Sequence, residues 1–349
     1  MSNNFIRRLP NLCIASLSIS HLVLSASLGT TVSSHTRRAG KGKAGLGWPN
    51  GAANDISQYY SSKLSWYYSW SPWAVVGADL GFVPMFWGVK QASDFQSQIT
   101  TTTITNNSWT SILGMNEPEQ ASESYVNVGD GAAQWKQYIE PLKTSNPSIR
   151  LGSPACTNAP IGKQWMYDFF GACGDGCTVD FVALHYYGLA NSTDFIAHVT
   201  DYHDSFQRPI WVTEWACQNY GDPSLGQCTD DQIETFLKDM QSWMDSTDFV
   251  ERYAWFGAME NMQGVNQGNA LMDPQGKITS LGKQYIGSGG KGSTSSSSSA
   301  YPTGTTTVSD NGGGGVSISG VQADFKLDLQ QILWRWSIIA ILLSLLTMA

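Results

Sequence analysis

Ser111-Ile112-Leu113-Gly114-Met115-Asn116-Glu117-Pro118 is a short apolar run that closes on a carboxylic acid. Bounded by turn-forming residues, it reads as a β-strand with Glu117 at its C-terminal end. Pro209-Ile210-Trp211-Val212-Thr213-Glu214-Trp215 repeats the arrangement, with Glu214 in the same place. Comparable runs recur at 44–48, 65–70, 82–87, 112–116, 150–154, 179–186, 210–215 and 252–257, and helical segments such as 133–144 and 231–244 lie between them. Alternating strands and helices imply parallel βαβ units. Eight such strands over about 250 residues give the count and size of an α/β (β/α)8 TIM barrel. A doubly wound open sheet would carry a glycine-rich nucleotide turn. Gly45-Leu46-Gly47-Trp48-Pro49-Asn50-Gly51 lacks the required spacing, and Trp48-Pro49 would obstruct a phosphate.

On this count Glu117 ends strand four and Glu214 strand seven. Catalytic groups of such barrels sit at the C-terminal strand ends, so two residues distant in sequence meet across one mouth. A pair of carboxyl groups in different surroundings is the minimum equipment for cleaving a glycosidic bond.

The ends have other compositions. Residues 1–28 have the form of a secretory signal peptide: Arg7 and Arg8 precede an apolar, serine-rich stretch with small residues near its end. A short pro-segment or linker follows over 29–42, in which Arg37-Arg38 is either a dibasic processing site or a solvated pair. The barrel is expected over 43–286. Residues 287–331 form a Ser/Thr/Gly-rich stalk and spacer that cannot bury a core. The apolar tail, 332–349, is shorter than the roughly 20 residues a membrane-spanning helix needs. Small residues, a polar spacer and such a tail make a glycosylphosphatidylinositol (GPI) attachment signal, with Asn311 or residues 317–320 as the attachment point. The expected location is therefore secreted, at the cell surface or wall, with the anchor as the only membrane association and a monomeric state.

Net charge is −8, charged residues make up only 14% of the chain, and no basic cluster falls within 43–286, so nucleic-acid binding has no electrostatic footprint. There are 14 tryptophans, an excess that suits a cleft in which sugar faces stack on indole rings. Of six cysteines, Cys173 with Cys177 and Cys217 with Cys228 read as two local disulfides, and Cys156 as a buried free thiol. The histidines do not supply metal-ligand spacing, so neither metal nor cofactor is expected. Asn106-Asn107-Ser108 and Asn191-Ser192-Thr193 are glycosylation sequons at Asn106 and Asn191.

The domain resembles glycoside hydrolase family 128, the fungal glycosyl hydrolase catalytic core group of endo-β-1,3-glucanases. The resemblance is carried, in order, by Gly45-Leu46-Gly47-Trp48, Trp66-Tyr67-Tyr68-Ser69-Trp70, Val83-Pro84-Met85-Phe86-Trp87-Gly88, Gly114-Met115-Asn116-Glu117-Pro118, Leu184-His185-Tyr186-Tyr187 and Trp211-Val212-Thr213-Glu214-Trp215. It implies a retaining enzyme with β-glucan as its partner, Glu117 as acid/base, Glu214 as nucleophile and Asn116 on the sugar 2-hydroxyl. His185 and Tyr186 are expected to orient Glu214 or bind substrate. Trp48, Trp70, Trp87, Trp215 and Trp255 are the candidate sugar platforms, each open to a core role instead. Glu119 is expected to face solvent and Glu260 the rim, while His198 and His203 have no assigned role. Transglycosylation by the same residues and non-catalytic glucan binding are the alternatives.

Overall fold

The computed structural model describes residues 42–288. The leader, most of the linker, the stalk beyond residue 288 and the tail lie outside the described residues. Eight strands form, all paired in parallel: β1 (Ala44–Gly47), β2 (Leu64–Tyr68), β3 (Gly81–Phe82), β4 (Ser111–Ile112), β5 (Arg150–Leu151), β6 (Val182–Gly188), β7 (Ile210–Cys217) and β8 (Val250–Trp255). Regular ladders give the order β3-β2-β1-β8-β7-β6 and the pair β4-β5. Single bridges, Met85 to Leu113 between β3 and β4 and Gly152 to Phe181 between β5 and β6, join these pieces into a closed circle.

Helices α1 (Ala92–Gln98), α2 (Thr101–Asn107), α3 (Val128–Gln134), α4 (Glu140–Ser145), α5 (Pro160–Cys173), α6 (Ser192–Phe206), α7 (Asp230–Ser246) and α8 (Ser280–Tyr285) occupy the connections. The helix expected over 133–144 is α3 and α4 joined through a π-helical turn, Trp135–Ile139. Strands expected over 82–87, 112–116 and 150–154 shrink to two-residue ladders. Pro84 and Pro154 have no N–H to donate, so pairing beyond them survives only as isolated bridges. A capping box of Thr229 and Gln232 starts α7, whose apolar face buries Ile233, Phe236, Leu237, Met240 and Met244.

The barrel lumen is filled by Trp66, Tyr68, Val83, Met85, Leu113, Phe181 and Trp211. Phe181 stacks on Trp211 at 3.9 Å, and the Arg252 guanidinium lies 4.3 Å above the Trp211 ring. Glu251 takes a 2.7 Å ion pair from Arg150 and the Trp211 indole N–H at 2.9 Å. Such bulky rings fit because residues opposite them are small. A Cβ on Gly45 would stand 2.3 Å from the buried Trp66 indole, and one on Gly152 would stand 2.4 Å from Phe181. With the rings pinned, Gly45→Ala should cost about 1–3 kcal/mol of overpacking. That corresponds to a melting temperature about 3–10 °C lower in a thermal scan of the full chain. An unchanged melting temperature would mean that the lumen yields freely.

Candidate active site

The loops after all eight strands converge on one cleft of about 1780 Å³. Drug-sized pockets run to about 1,000 Å³, so this one has room for several sugar units. Glu117 and Glu214 both line it.

Glu117 leaves the β4 line with a backbone φ of +41°, a strained conformation for a non-glycine residue. Its N–H donates to the Ala155 carbonyl at 2.8 Å, and its carbonyl accepts from Gln120 N–H at 2.9 Å, so both sides of the strained peptide are held. Glu214 reaches the cleft by a different device. Between β6 and β7, Leu184 pairs with Val212 but His185 pairs with Glu214, so Thr213 is an extra residue on β7. Such a bulge reverses the side-chain alternation. Trp211 points into the lumen, Glu214 turns inward as well, and Trp215 turns outward against Phe195 and Phe236.

His185, fully buried, joins the two acids. Its Nδ1 is 2.7 Å from Glu117 Oε1, and its Nε2 is 3.4 Å from Glu214 Oε1, close enough for charge attraction though outside hydrogen-bond geometry. Glu214 also accepts the Trp70 indole N–H on Oε1 and the Tyr187 hydroxyl on Oε2, both at 2.6 Å. One carboxylate oxygen of each glutamate and a ring nitrogen of His185 lie within 4.8 Å of one another. That closeness suits a pair placed for direct nucleophilic attack, whose carboxyl groups are typically about 5–5.5 Å apart. The same atoms could also bracket a cation, but His185 already spends Nδ1 on Glu117.

Burial pushes the Glu117 carboxyl above its ordinary range; the charges of Glu214 and Glu119 add to this, and His185 opposes it. For His185 burial pulls downward, but the Glu214 charge and the Glu117 hydrogen bond overcome it and lift the imidazole to about 9. Both groups therefore hold protons more tightly in the folded chain.

The structure brings Glu117, His185, Glu214, Asn116, Trp70 and Trp87 to this mouth and removes other candidates from it. Trp48, Trp215 and Trp255 are wholly buried and offer no face to a sugar. Trp48 packs edge-on against Tyr59, and Trp215 against Trp255, because each occupies the outward phase of its strand. Tyr186 likewise faces Phe195 and Phe236 and touches the cleft only at its margin. His185, without exposed surface, orients the acids and cannot touch a polymer. Glu119 turns inward, accepting the Thr157 N–H at 2.7 Å, whereas Glu260 is exposed on the rim.

Four further residues belong to the site. Tyr187 was legible, since alternation along β6 puts 185 and 187 on one side. Phe256, one past Trp255, has the inward phase of β8 and meets both Trp70 and Tyr187 edge-on. Tyr220 is exposed at the cleft, 5.7 Å from Tyr187, on a loop clamped by the Cys217–Cys228 disulfide. Glu123 accepts the Asn116 side-chain N–H at 3.1 Å. No strand periodicity signals these last two, which sit on loops.

A second disulfide links Cys173, the last residue of α5, to Cys177 beyond a short turn, and Cys156 is a buried free thiol. Asn106 and Asn191 are exposed, and Asn191 caps α6.

A group whose folded proton affinity is raised adds stability below its unfolded value and loses it as pH rises through the folded one. For His185 that window runs from pH 6.5 to about 9. The melting temperature of the wild type should fall across it more steeply than that of His185→Gln. Parallel curves would contradict the shared-proton arrangement.

The sequence profile of the glycosyl hydrolase catalytic core family matches residues 45–285. Alkali-sensitive linkage protein 1 of Schizosaccharomyces pombe is 33% identical over 250 residues, which are 70% of this chain; the chain spans 44% of that relative's length. Two solved structures share the fold. A curdlan-specific exo-β-1,3-glucanase of GH128 subgroup III from Blastomyces gilchristii has a TM-score of 0.55 at 29% identity, over 71% of this chain and 99% of that one. A subgroup V exo-β-1,3-glucanase from Cryptococcus neoformans has a TM-score of 0.59 at 28% identity, over 70% and 98%.

Proposed function

The chain belongs to the glycosyl hydrolase catalytic core family, and from that premise we propose that it cleaves β-1,3-glucan by double displacement with retention of configuration. The observation that carries this reading is the Glu117–His185–Glu214 constellation, whose acids are within 4.8 Å of each other in an open cleft. Glu214, fixed by Trp70 and Tyr187, attacks the anomeric carbon. The bond to the glycosidic oxygen breaks as Glu117 delivers its proton to that oxygen, leaving a glycosyl ester on Glu214. Glu117, now a carboxylate, takes a proton from water as the water oxygen attacks the same carbon and frees Glu214. The raised proton affinity of Glu117 supports its role as the acid of the first step.

Trp70, Trp87, Tyr187, Tyr220 and Phe256 supply aromatic surface for pyranose faces. A cleft lined by every mouth loop supports internal cleavage of a chain, and release of end units, as in the exo-acting relatives, is the competing outcome. Two disulfides in the domain support a secreted site of action at the cell surface.

Full-length protein incubated with linear β-1,3-glucan should release oligosaccharides that appear first, by NMR, as the β-anomer. Glu214→Ala should show no turnover. Glu117→Ala should lose about 10²–10⁴-fold in kcat on glucan, yet keep its first step on an aryl glycoside whose leaving group needs no proton. Products longer than the starting chain would favour transfer over hydrolysis. Binding without turnover on any β-glucan would leave a glucan-binding protein.

A further inference from the structure

Glu123 has no part in the reaction as written, yet its position relative to Asn116 is built in detail. The chain after Glu117 turns back on itself: Glu123 N–H donates to the Gln120 carbonyl at 3.0 Å, Ser124 N–H to the Asn116 carbonyl at 3.3 Å, and Val126 N–H to the Pro118 carbonyl at 2.9 Å. Ser124 packs under Gly88, where a Cβ would come within 2.7 Å of the Ser124 Cβ. This turn delivers Glu123 to the cleft wall, where its Oε2 accepts the Asn116 amide N–H. Among the described residues Glu123 has no ion-pair partner.

An ionised carboxylate can only accept hydrogen bonds. It therefore dictates which way the neighbouring amide faces, turning the Asn116 NH2 toward itself and Oδ1 away. Asn116 is only 4% exposed, and its Oδ1 has no hydrogen-bond partner. The amide is thus locked at the cleft wall, one residue before Glu117, with its carbonyl oxygen buried and unpaired behind the surface that a bound sugar would meet. A sugar hydroxyl both donates and accepts, and the one nearest the reacting carbon is the 2-hydroxyl.

We propose that Glu123 is a positioning residue that fixes the Asn116 amide so that it meets the hydroxyl adjacent to the anomeric carbon under attack. This rests on the glycosidase reading above.

The test is a cycle between protein and substrate in the full chain, comparing an aryl β-glucoside with its 2-deoxy analogue. Glu123→Ala should lower kcat/KM on the glucoside about 10–100-fold, the scale of a lost hydrogen bond to a charged group. On the 2-deoxy substrate it should lose less than about threefold, as should Asn116→Ala. Glu123→Gln, which keeps an acceptor oxygen, should recover most of the loss. Equal losses on both substrates, or no loss at all, would overturn the proposal. Should the wild type turn over neither substrate, calorimetric binding of a β-1,3-linked glucose trisaccharide still decides. Binding weakened about tenfold or more by Glu123→Ala would uphold the residue's role, and unchanged binding would overturn it; the hydrolytic reading stands or falls separately on turnover of linear β-1,3-glucan.

Discussion

Two carboxylates held within 4.8 Å in a largely buried mouth repel one another. At an effective dielectric of about 20 the cost is roughly 3–4 kcal/mol, before desolvation is counted. The site exists because His185 sits between them. A protonated imidazole attracts both acids at once and turns a destabilising pair into a three-group network that shares its protons. Trp70 and Tyr187 donate to Glu214 from the other side, so the proposed nucleophile is surrounded by donors. Among the described residues Glu117 has only His185 as a side-chain donor, and it lies in burial that favours its protonated form. Difference of environment, in otherwise identical side chains, is what would separate the two proposed roles.

The barrel supplies that asymmetry through small local departures from regularity. The extra residue at Thr213 aims Glu214 inward, and the left-handed backbone at Glu117 turns its side chain toward His185. Trp70 is also held at positive φ, with Gly47 below it, where a Cβ would come within 2.4 Å of the ring. Strain of this kind persists only where surrounding hydrogen bonds and packing over-determine it. The rigid plug of Trp66, Phe181, Trp211 and Arg252 in the lumen is a floor that meets that condition.

Much of this was legible in the residues alone. Apolar runs ending in Glu117 and Glu214 located both acids and, with six similar runs, the eight-stranded circle. Of the five candidate platforms, each open to a core role, Trp70 and Trp87 line the cleft and Trp48, Trp215 and Trp255 lie in the core. Strand alternation puts Tyr186 and Trp255 in the helical layer and Tyr187 and Phe256 in the cleft, while Trp215 reaches the helical layer through the bulge at Thr213. The Thr213 bulge could not be read from periodicity, since strict alternation from Trp211 would turn Glu214 outward. Glu123 and Tyr220 depend on loop geometry and on long-range contacts that no local pattern encodes.

The central claim is that Glu214 forms a covalent bond to sugar while Glu117 handles the proton. An activated 2-deoxy-2-fluoro-β-glucoside slows breakdown of a glycosyl-enzyme, so it should trap that species on the full-length protein. Mass spectrometry should then show a single fluoroglucosyl adduct on the peptide that carries Glu214. An adduct on Glu117 or Glu123, or steady turnover to inverted product with no adduct, would contradict the account.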